Sequence, residues 1–286
     1  MIVPSNFQDS PTAFEPAQVL EMGQGEVSII FLHGLFGTPQ HWHPIMTKLA
    51  DRYRVIAPQL PVDRQPGRRT MGIRDVDDLG QCVDQLIDDF GLEQFVICGN
   101  SLGGLLAIDF CLRHPGRASA LVLAGSAGLY QRGIASRIRP RPTRAFVRRV
   151  AGDILHDERH VTDQLVDEWH QSLLDRDYVR FVLRIARATR DRTVKEELAK
   201  LKLPTLIIWG QNDAVTPPSV AKTFQSRITD AELKFIDNCG HAPNLEQPEE
   251  FGRVLQEFLS HRFPNDTTEP VRKRSPSYRI NTSVAK

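Results

Sequence analysis

The sequence predicts an α/β fold: a mostly parallel sheet of about eight strands, helices on both faces, and a helical cap inserted between two of the strands. Three observations predict it. Runs such as Phe95-Val96-Ile97-Cys98, Ala120-Leu121-Val122-Leu123-Ala124 and Leu206-Ile207-Ile208-Trp209 are apolar at every position, as in strands covered on both faces. Between the runs, apolar residues recur at helical spacing. From about Tyr130 to Lys202 strand-like runs stop, and only the helical pattern remains.

Taken in order, Ala17–Met22 reads as an edge strand. Val27–Leu32 reads as a buried strand ending in His33-Gly34-Leu35-Phe36-Gly37. Trp42, Ile45, Met46 and Leu49 keep helical spacing, and Tyr53–Leu60 gives the next strand. Pro61–Arg69, with two prolines, a glycine and four charges, reads as a loop near the mouth of a site. Val76, Leu79, Val83, Leu86, Ile87 and Phe90 form one helix face, and Gly91 stops it. The strand Gln94–Cys98 leads through a turn into a helix carrying Leu105, Ile108 and Leu112. Ala120–Gly125 is the strand after that helix. In the insertion, Leu165, Trp169 and Leu173, then Tyr178, Val182 and Ile185, mark two helices. Pro204–Gly210 returns to buried strand, Pro217 and Pro218 open a helix, Leu233–Ile236 is a strand, and a polar helix starts near Gln247 or Pro248. The expected organisation is a core of residues 1–129 and 203–263, a helical cap of 130–202, and a tail of 264–286. That tail carries Arg272, Lys273, Arg274 and Arg279 without an apolar period and is expected to be disordered.

The chain has 286 residues and a formal net charge of +1. It is long enough for one large core with an inserted lid, and its charge gives no general attraction to nucleic acid or membrane. The four cysteines, Cys82, Cys98, Cys111 and Cys239, have no paired spacing and read as small buried hydrophobes in a reducing compartment. Met1–Pro16 lacks a basic start and an apolar stretch, so no secretory signal is expected. No run approaches the roughly 20 apolar residues of a membrane span. A cytoplasmic enzyme acting on a small molecule is expected, with no membrane insertion and its oligomeric state open.

The chemistry gathers at the strand ends. Gly99-Asn100-Ser101-Leu102-Gly103-Gly104 is a G-x-S-x-G string between a strand and a helix. That context lifts one hydroxyl above the sheet at a helix N-terminus, which favours negative charge. Asp213 follows the buried strand in Gly210-Gln211-Asn212-Asp213, on the ligand side of an open α/β sheet. His241 follows the next strand in Asn238-Cys239-Gly240-His241-Ala242-Pro243. Taken singly, the three read as a loop serine, a turn aspartate and a surface histidine. Their order, each after a strand, supports a nucleophile, a base and an orienting acid. The turn after Leu32 can aim a backbone N–H of Leu35 or Phe36 at a reacting oxygen. Leu35 is favoured, with Leu102 as the second donor of an oxyanion hole.

On these residues the chain resembles the α/β-hydrolase-fold superfamily from about Glu21 to His261. The resemblance implies Ser101 as nucleophile, Asp213 as acid, His241 as base, and Leu35 and Leu102 as oxyanion amides; no cofactor and no metal are expected. Gly99-Asn100-Ser101 with Gly103-Gly104 is similar to the elbow of carbon–carbon bond hydrolases of aromatic catabolism. Two features depart from that branch: Ala242 stands where it typically has Trp, and its carboxylate-gripping cap arginine has no clear match. Ser101 argues against epoxide hydrolases and haloalkane dehalogenases, whose elbow nucleophile is an aspartate. The expected activity is hydrolysis of an ester-type bond through an acyl-enzyme. The alternatives are carbon–carbon cleavage of a vinylogous diketone, acyl transfer, and ligand binding without turnover.

Phe36, Phe146 and Trp169, with Leu173 and Phe181, are candidates to line the pocket, set against simple packing within the cap. Arg132, Arg137, Arg139, Arg141, Arg144, Arg148 and Arg149 could steer an anion, but read better as a solvated segment. His156 and His160 are spaced as in a zinc-protease helix without its glutamate, and read as a charged helix face. His41-Trp42-His43 shows no third ligand.

Overall fold

The computed structural model describes residues 18–62, 72–130, 142–264 and 277–280. Eight strands form one sheet in the order β7-β6-β5-β4-β2-β3-β1-β8. The strands are β1 (Gln18–Met22), β2 (Ser28–Leu32), β3 (Arg54–Pro58), β4 (Phe95–Asn100), β5 (Ala118–Ala124), β6 (Thr205–Gly210), β7 (Ala231–Ile236) and β8 (Ser277–Ile280). Strands β2 to β7 run parallel; β1 is antiparallel to β3, and β8 to β1.

The continuous apolar strands are covered on both faces. Ile30, Leu32, Ile97, Leu121, Leu123, Ile207 and Trp209 point to one core layer. Ile29, Phe31, Val96, Cys98, Val122, Leu206 and Ile208 point to the other. The first layer is covered by α2 (Val76–Asp89), α3 (Leu102–Arg113) and α7 (Pro218–Arg227). The second is covered by α1 (His43–Leu49) and α9 (Pro248–Arg262). Between β5 and β6 the chain inserts α4 (Arg144–Ile154), α5 (Asp163–Leu173) and α6 (Arg176–Asp191). Each of these has a capping side chain: Thr143 accepts from the N–H of Phe146, Thr162 from Leu165, and Asp175 from Asp177 and Tyr178. Arg144 bridges α4 to Asp163 and Asp167 of α5, and Arg148 also pairs with Asp163. The described members of the arginine-rich segment are thus held largely within the insertion; Arg132, Arg137, Arg139 and Arg141 lie outside the described residues, as does most of the Pro61–Arg69 loop.

Three expectations are corrected. The strand at 18–22 is not an edge, because β8 pairs along its outer side from Gln18↔Ile280 to Glu21↔Ser277. Ser277–Ile280, within a tail expected to be without structure, is that outer strand; a four-residue segment can satisfy an open strand edge with no apolar period of its own. His156–His160 is not an α-helix face, since Glu158–His160 is a single 3-10 turn capped by Asp157. A one-turn helix, α8 (Pro243–Glu246), precedes α9. Leu173 and Phe181 are 4% and 2% exposed and pack in the first core layer.

Candidate active site

Strand β4 ends at Asn100, and α3 begins at Leu102. Ser101, between them, has φ 54° and ψ −118°. That strained backbone is fixed from several sides: its N–H donates to the Ala124 carbonyl (3.0 Å), and its carbonyl accepts from Gly104, Leu105 and Ala127. The glycines of the elbow are needed for space, because a Cβ on Gly99 or Gly103 would lie 2.2 Å from a backbone oxygen.

Strand β6 delivers Asp213, and β7 delivers His241. His241 Nε2 lies 2.9 Å from Ser101 Oγ, and His241 Nδ1 lies 2.9 Å from Asp213 Oδ2. Asp213 and His241 are 3% and 6% exposed. An acceptor-only carboxylate at Nδ1 selects the tautomer with the proton there, leaving the Nε2 lone pair for the serine hydroxyl. Asp213 Oδ1 accepts from the N–H groups of Val215 and Thr216, both at 2.8 Å. Thr216 Oγ1 donates to Asp213 Oδ2 at 2.8 Å and sits 3.2 Å from His241 Nδ1.

The turn after β2 lies against the serine. A Cβ on Gly34 would lie 3.0 Å from the Cβ of Ser101. The N–H of Gly37 closes the turn on the Gly34 carbonyl at 3.1 Å, with Phe36 at φ 59°. Gly34, the residue before Leu35, is thus against the nucleophile, and the Leu102 N–H opens α3, where a helix has no partner for it. His33 anchors the turn. Its Nδ1 donates to the Gly34 carbonyl (2.9 Å), and its Nε2 accepts from the N–H of Leu60 (2.9 Å). Burial lowers its pKa to about 4, so the ring is neutral. Trp169 of α5 meets Phe36 with ring centroids 5.0 Å apart. Phe146 is half-buried on α4, with the Arg149 guanidinium over its ring. Cys239 is buried, and burial pushes its thiol pKa well above the usual range, so it is no nucleophile at neutral pH.

Three groups near the site escape the sequence reading. Thr216 could have been suspected from Asp213-Ala214-Val215-Thr216, the spacing of an Asx turn. Asn100, read only as a branch marker, ties the site together: its amide donates to the carbonyls of Ala124 (2.9 Å) and His241 (3.0 Å). Gly125 lies at φ 51° directly under His241. Neither of these two roles has a local signal, because both depend on which carbonyls the fold brings together.

The profile of the alpha/beta hydrolase family matches residues 29–254. A 2-hydroxy-6-oxononadienedioate/2-hydroxy-6-oxononatrienedioate hydrolase of Pseudomonas putida is 27% identical over 262 residues, spanning 84% of this chain and 90% of that one. Among solved structures, an alpha/beta hydrolase enzyme from a sediment metagenome of the Mar Chica lagoon is 32% identical, with TM-score 0.67, over 85% of this chain and 94% of its own. A meta-cleavage product hydrolase from Pseudomonas fluorescens IP01 is 26% identical, with TM-score 0.72, over 85% and 93%. Strand order, elbow and profile agree, and the chain belongs to the alpha/beta hydrolase family.

Proposed function

We propose that this protein is a serine hydrolase that cleaves an ester-type bond of a small, partly apolar substrate through an acyl-enzyme. One observation carries the reading: the continuous relay Ser101 Oγ, His241 Nε2, His241 Nδ1, Asp213 Oδ2, with 2.9 Å at each contact between residues. In it, Ser101 Oγ attacks the carbonyl carbon while its proton passes to His241 Nε2. The carbonyl oxygen takes the negative charge against the amides of Leu35 and Leu102. Asp213 stabilises the imidazolium without taking its proton. The proton then goes to the leaving alcohol, and the acyl group stays on Ser101. Water repeats the sequence, giving the carboxylic acid and free serine.

The same reading takes 1–129 and 203–263 as the hydrolase core, and 130–202 as a cap that excludes water. Phe36 and Trp169 line the apolar part of the pocket, with Phe146 at its margin. A neutral substrate is favoured because several described arginines of the insertion are already engaged: Arg144 and Arg148 with aspartates, Arg184 with the Ile73 carbonyl, Arg192 with Asp109. Four buried free cysteines favour a reducing, cytoplasmic setting. Among the described residues, no helix is long and apolar enough to cross a membrane.

A second reading, carbon–carbon cleavage of a vinylogous diketone, is favoured by the names of the relatives and by Asn100 in the elbow. Parallel assays decide between them. Turnover of short p-nitrophenyl esters, abolished in Ser101→Ala together with fluorophosphonate labelling, supports the ester reading. Efficient turnover of a dienoate with negligible esterase activity replaces it with the second. Undiminished labelling of Ser101→Ala removes both.

A further inference from the structure

Glu246 ends α8 and is 3% exposed, and among the described residues no cationic side chain pairs with its carboxylate. Its two oxygens instead accept backbone N–H groups from two different parts of the chain. Oε1 accepts from Gly240 (3.0 Å) and Ala242 (3.3 Å), the residues on either side of His241. Oε2 accepts from His156 (2.7 Å) and, more distantly, Asp157 (3.5 Å), in the segment that follows α4. The N–H of His241 itself donates to the carbonyl of Ile154, the last residue of α4, at 2.9 Å. The junction has no slack: a Cβ on Gly240 would lie 2.7 Å from both His156 N and Ile154 O.

We propose that Glu246 is a positioning residue: its carboxylate holds the His241 loop and the end of α4 as one unit, so that the imidazole stays in line with Ser101. The proposal rests on His241 being the base. Charge-assisted hydrogen bonds are the stronger and shorter ones, and buried carboxylate oxygens without donors are costly. Both oxygens face N–H donors, so an amide cannot replace the carboxylate: one end of Glu246→Gln would present NH2 to N–H. A shift of the imidazole by about 1 Å is enough to cost about a hundredfold in rate. The insertion is thereby coupled to catalysis from its far end, through Ile154 and His156, and not only through the ring contact at Trp169.

The test is steady-state kinetics of Glu246→Gln and His156→Pro, with the proton NMR resonance of the His241 Nδ1–H as the structural readout. His156→Pro deletes one donor to Oε2 and sets a ring methylene against the carboxylate at that point, so it breaks the Glu246 bridge from the insertion side; Leu155 already has the extended backbone (φ −98°, ψ 127°) that a following proline requires. Glu246→Gln is expected to lower kcat about 10- to 100-fold with KM within about threefold, and to weaken or broaden the Nδ1–H resonance. His156→Pro is expected to lower kcat about 3- to 10-fold in the same pattern. A purely structural role lowers the melting temperature but leaves kcat and the resonance of the folded protein unchanged, and that result overturns the proposal. If Glu246→Gln does not fold, His156→Pro decides alone. Retained turnover in Ser101→Ala strikes the catalytic reading itself, a different failure from wild-type kcat in these two variants.

Discussion

The indole of Trp169 and the phenyl ring of Phe36 meet with centroids 5.0 Å apart and planes inclined by 32°. This contact fastens α5 to the turn beside Ser101, so a side chain of the insertion and the turn carrying the proposed oxyanion amide share one packing surface. Trp169→Ala is expected to raise KM for a short ester about tenfold with a smaller change in kcat, because it removes a proposed wall of the pocket and leaves the relay intact. A double-mutant cycle with Phe36→Ala is expected to give a coupling of about 1 kcal/mol in thermal unfolding. Strict additivity would show that the two rings do not support each other.

Thr216 supplies one of the hydrogen bonds that hold Asp213 Oδ2, alongside His241. Thr216→Val keeps the shape and removes the hydroxyl, while the backbone donors of Val215 and Thr216 remain on Oδ1. The expected result is a fall in kcat of about tenfold, matching the roughly 1.5 kcal/mol of one hydrogen bond to a charged group. Unchanged kcat would mean that the two backbone bonds suffice to aim the carboxylate.

The relay was legible in the sequence because its signals are local. A glycine-flanked serine, an aspartate and a histidine each follow an apolar run, and the order of the three is diagnostic. The parallel sheet was legible for the same reason: strands buried on both faces leave no polar alternation. What stayed hidden depends on long-range meetings. Asn100 bonds the carbonyl of a residue 141 positions away, and Glu246 joins segments 90 apart. The pairing of β8 with β1 crosses nearly the whole chain. No window of sequence contains both partners.

His33 gives a pH test. Its pKa in the folded protein is about 4, against 6.5 in an unfolded chain, and burial is the main cause. The unfolded state therefore binds the proton first as pH falls. The stabilisation is complete above about pH 6.5 and is lost progressively down to pH 4, by about 3 kcal/mol in all. Urea unfolding at intervals from pH 7.5 to 4.5 is expected to show a steeper loss of stability in the wild type than in His33→Gln. Parallel curves would show that the ring does not stay neutral in the fold.

Strand β8 is separated from β4 by three strands, so its role in stability can be separated from activity. A chain ending at Pro264 leaves the outer side of β1 unpaired from Gln18 to Glu21. The expected outcome is a melting temperature lower by about 2–4 °C, faster amide exchange in β1, and kcat within about twofold of the full chain. A large loss of kcat would connect the tail to the site in a way the sheet order does not.

Gly125 joins the end of β5 to the floor of the site, and two constraints meet there. Its φ of 51° lies in the left-handed region, where a residue with a Cβ is disfavoured by about 1–2 kcal/mol. The space is also taken: a Cβ would lie 2.5 Å from the His241 carbonyl oxygen, 3.2 Å from His241 Nδ1 and 3.4 Å from Asp213 Oδ2. The backbone oxygen cannot yield alone, because Asn100 already holds it at 3.0 Å. The methyl of Gly125→Ala is therefore expected to push the histidine loop away from both Asp213 and Ser101. A fall in kcat of about a hundredfold or more is expected, with a loss of about 2 kcal/mol in stability. Fluorophosphonate labelling should slow by a similar factor, since it uses the same attack of Ser101 on an electrophile. A folded Gly125→Ala variant with wild-type labelling would mean that His241 can retreat and still reach the serine, and the 2.9 Å contacts would then not set the rate.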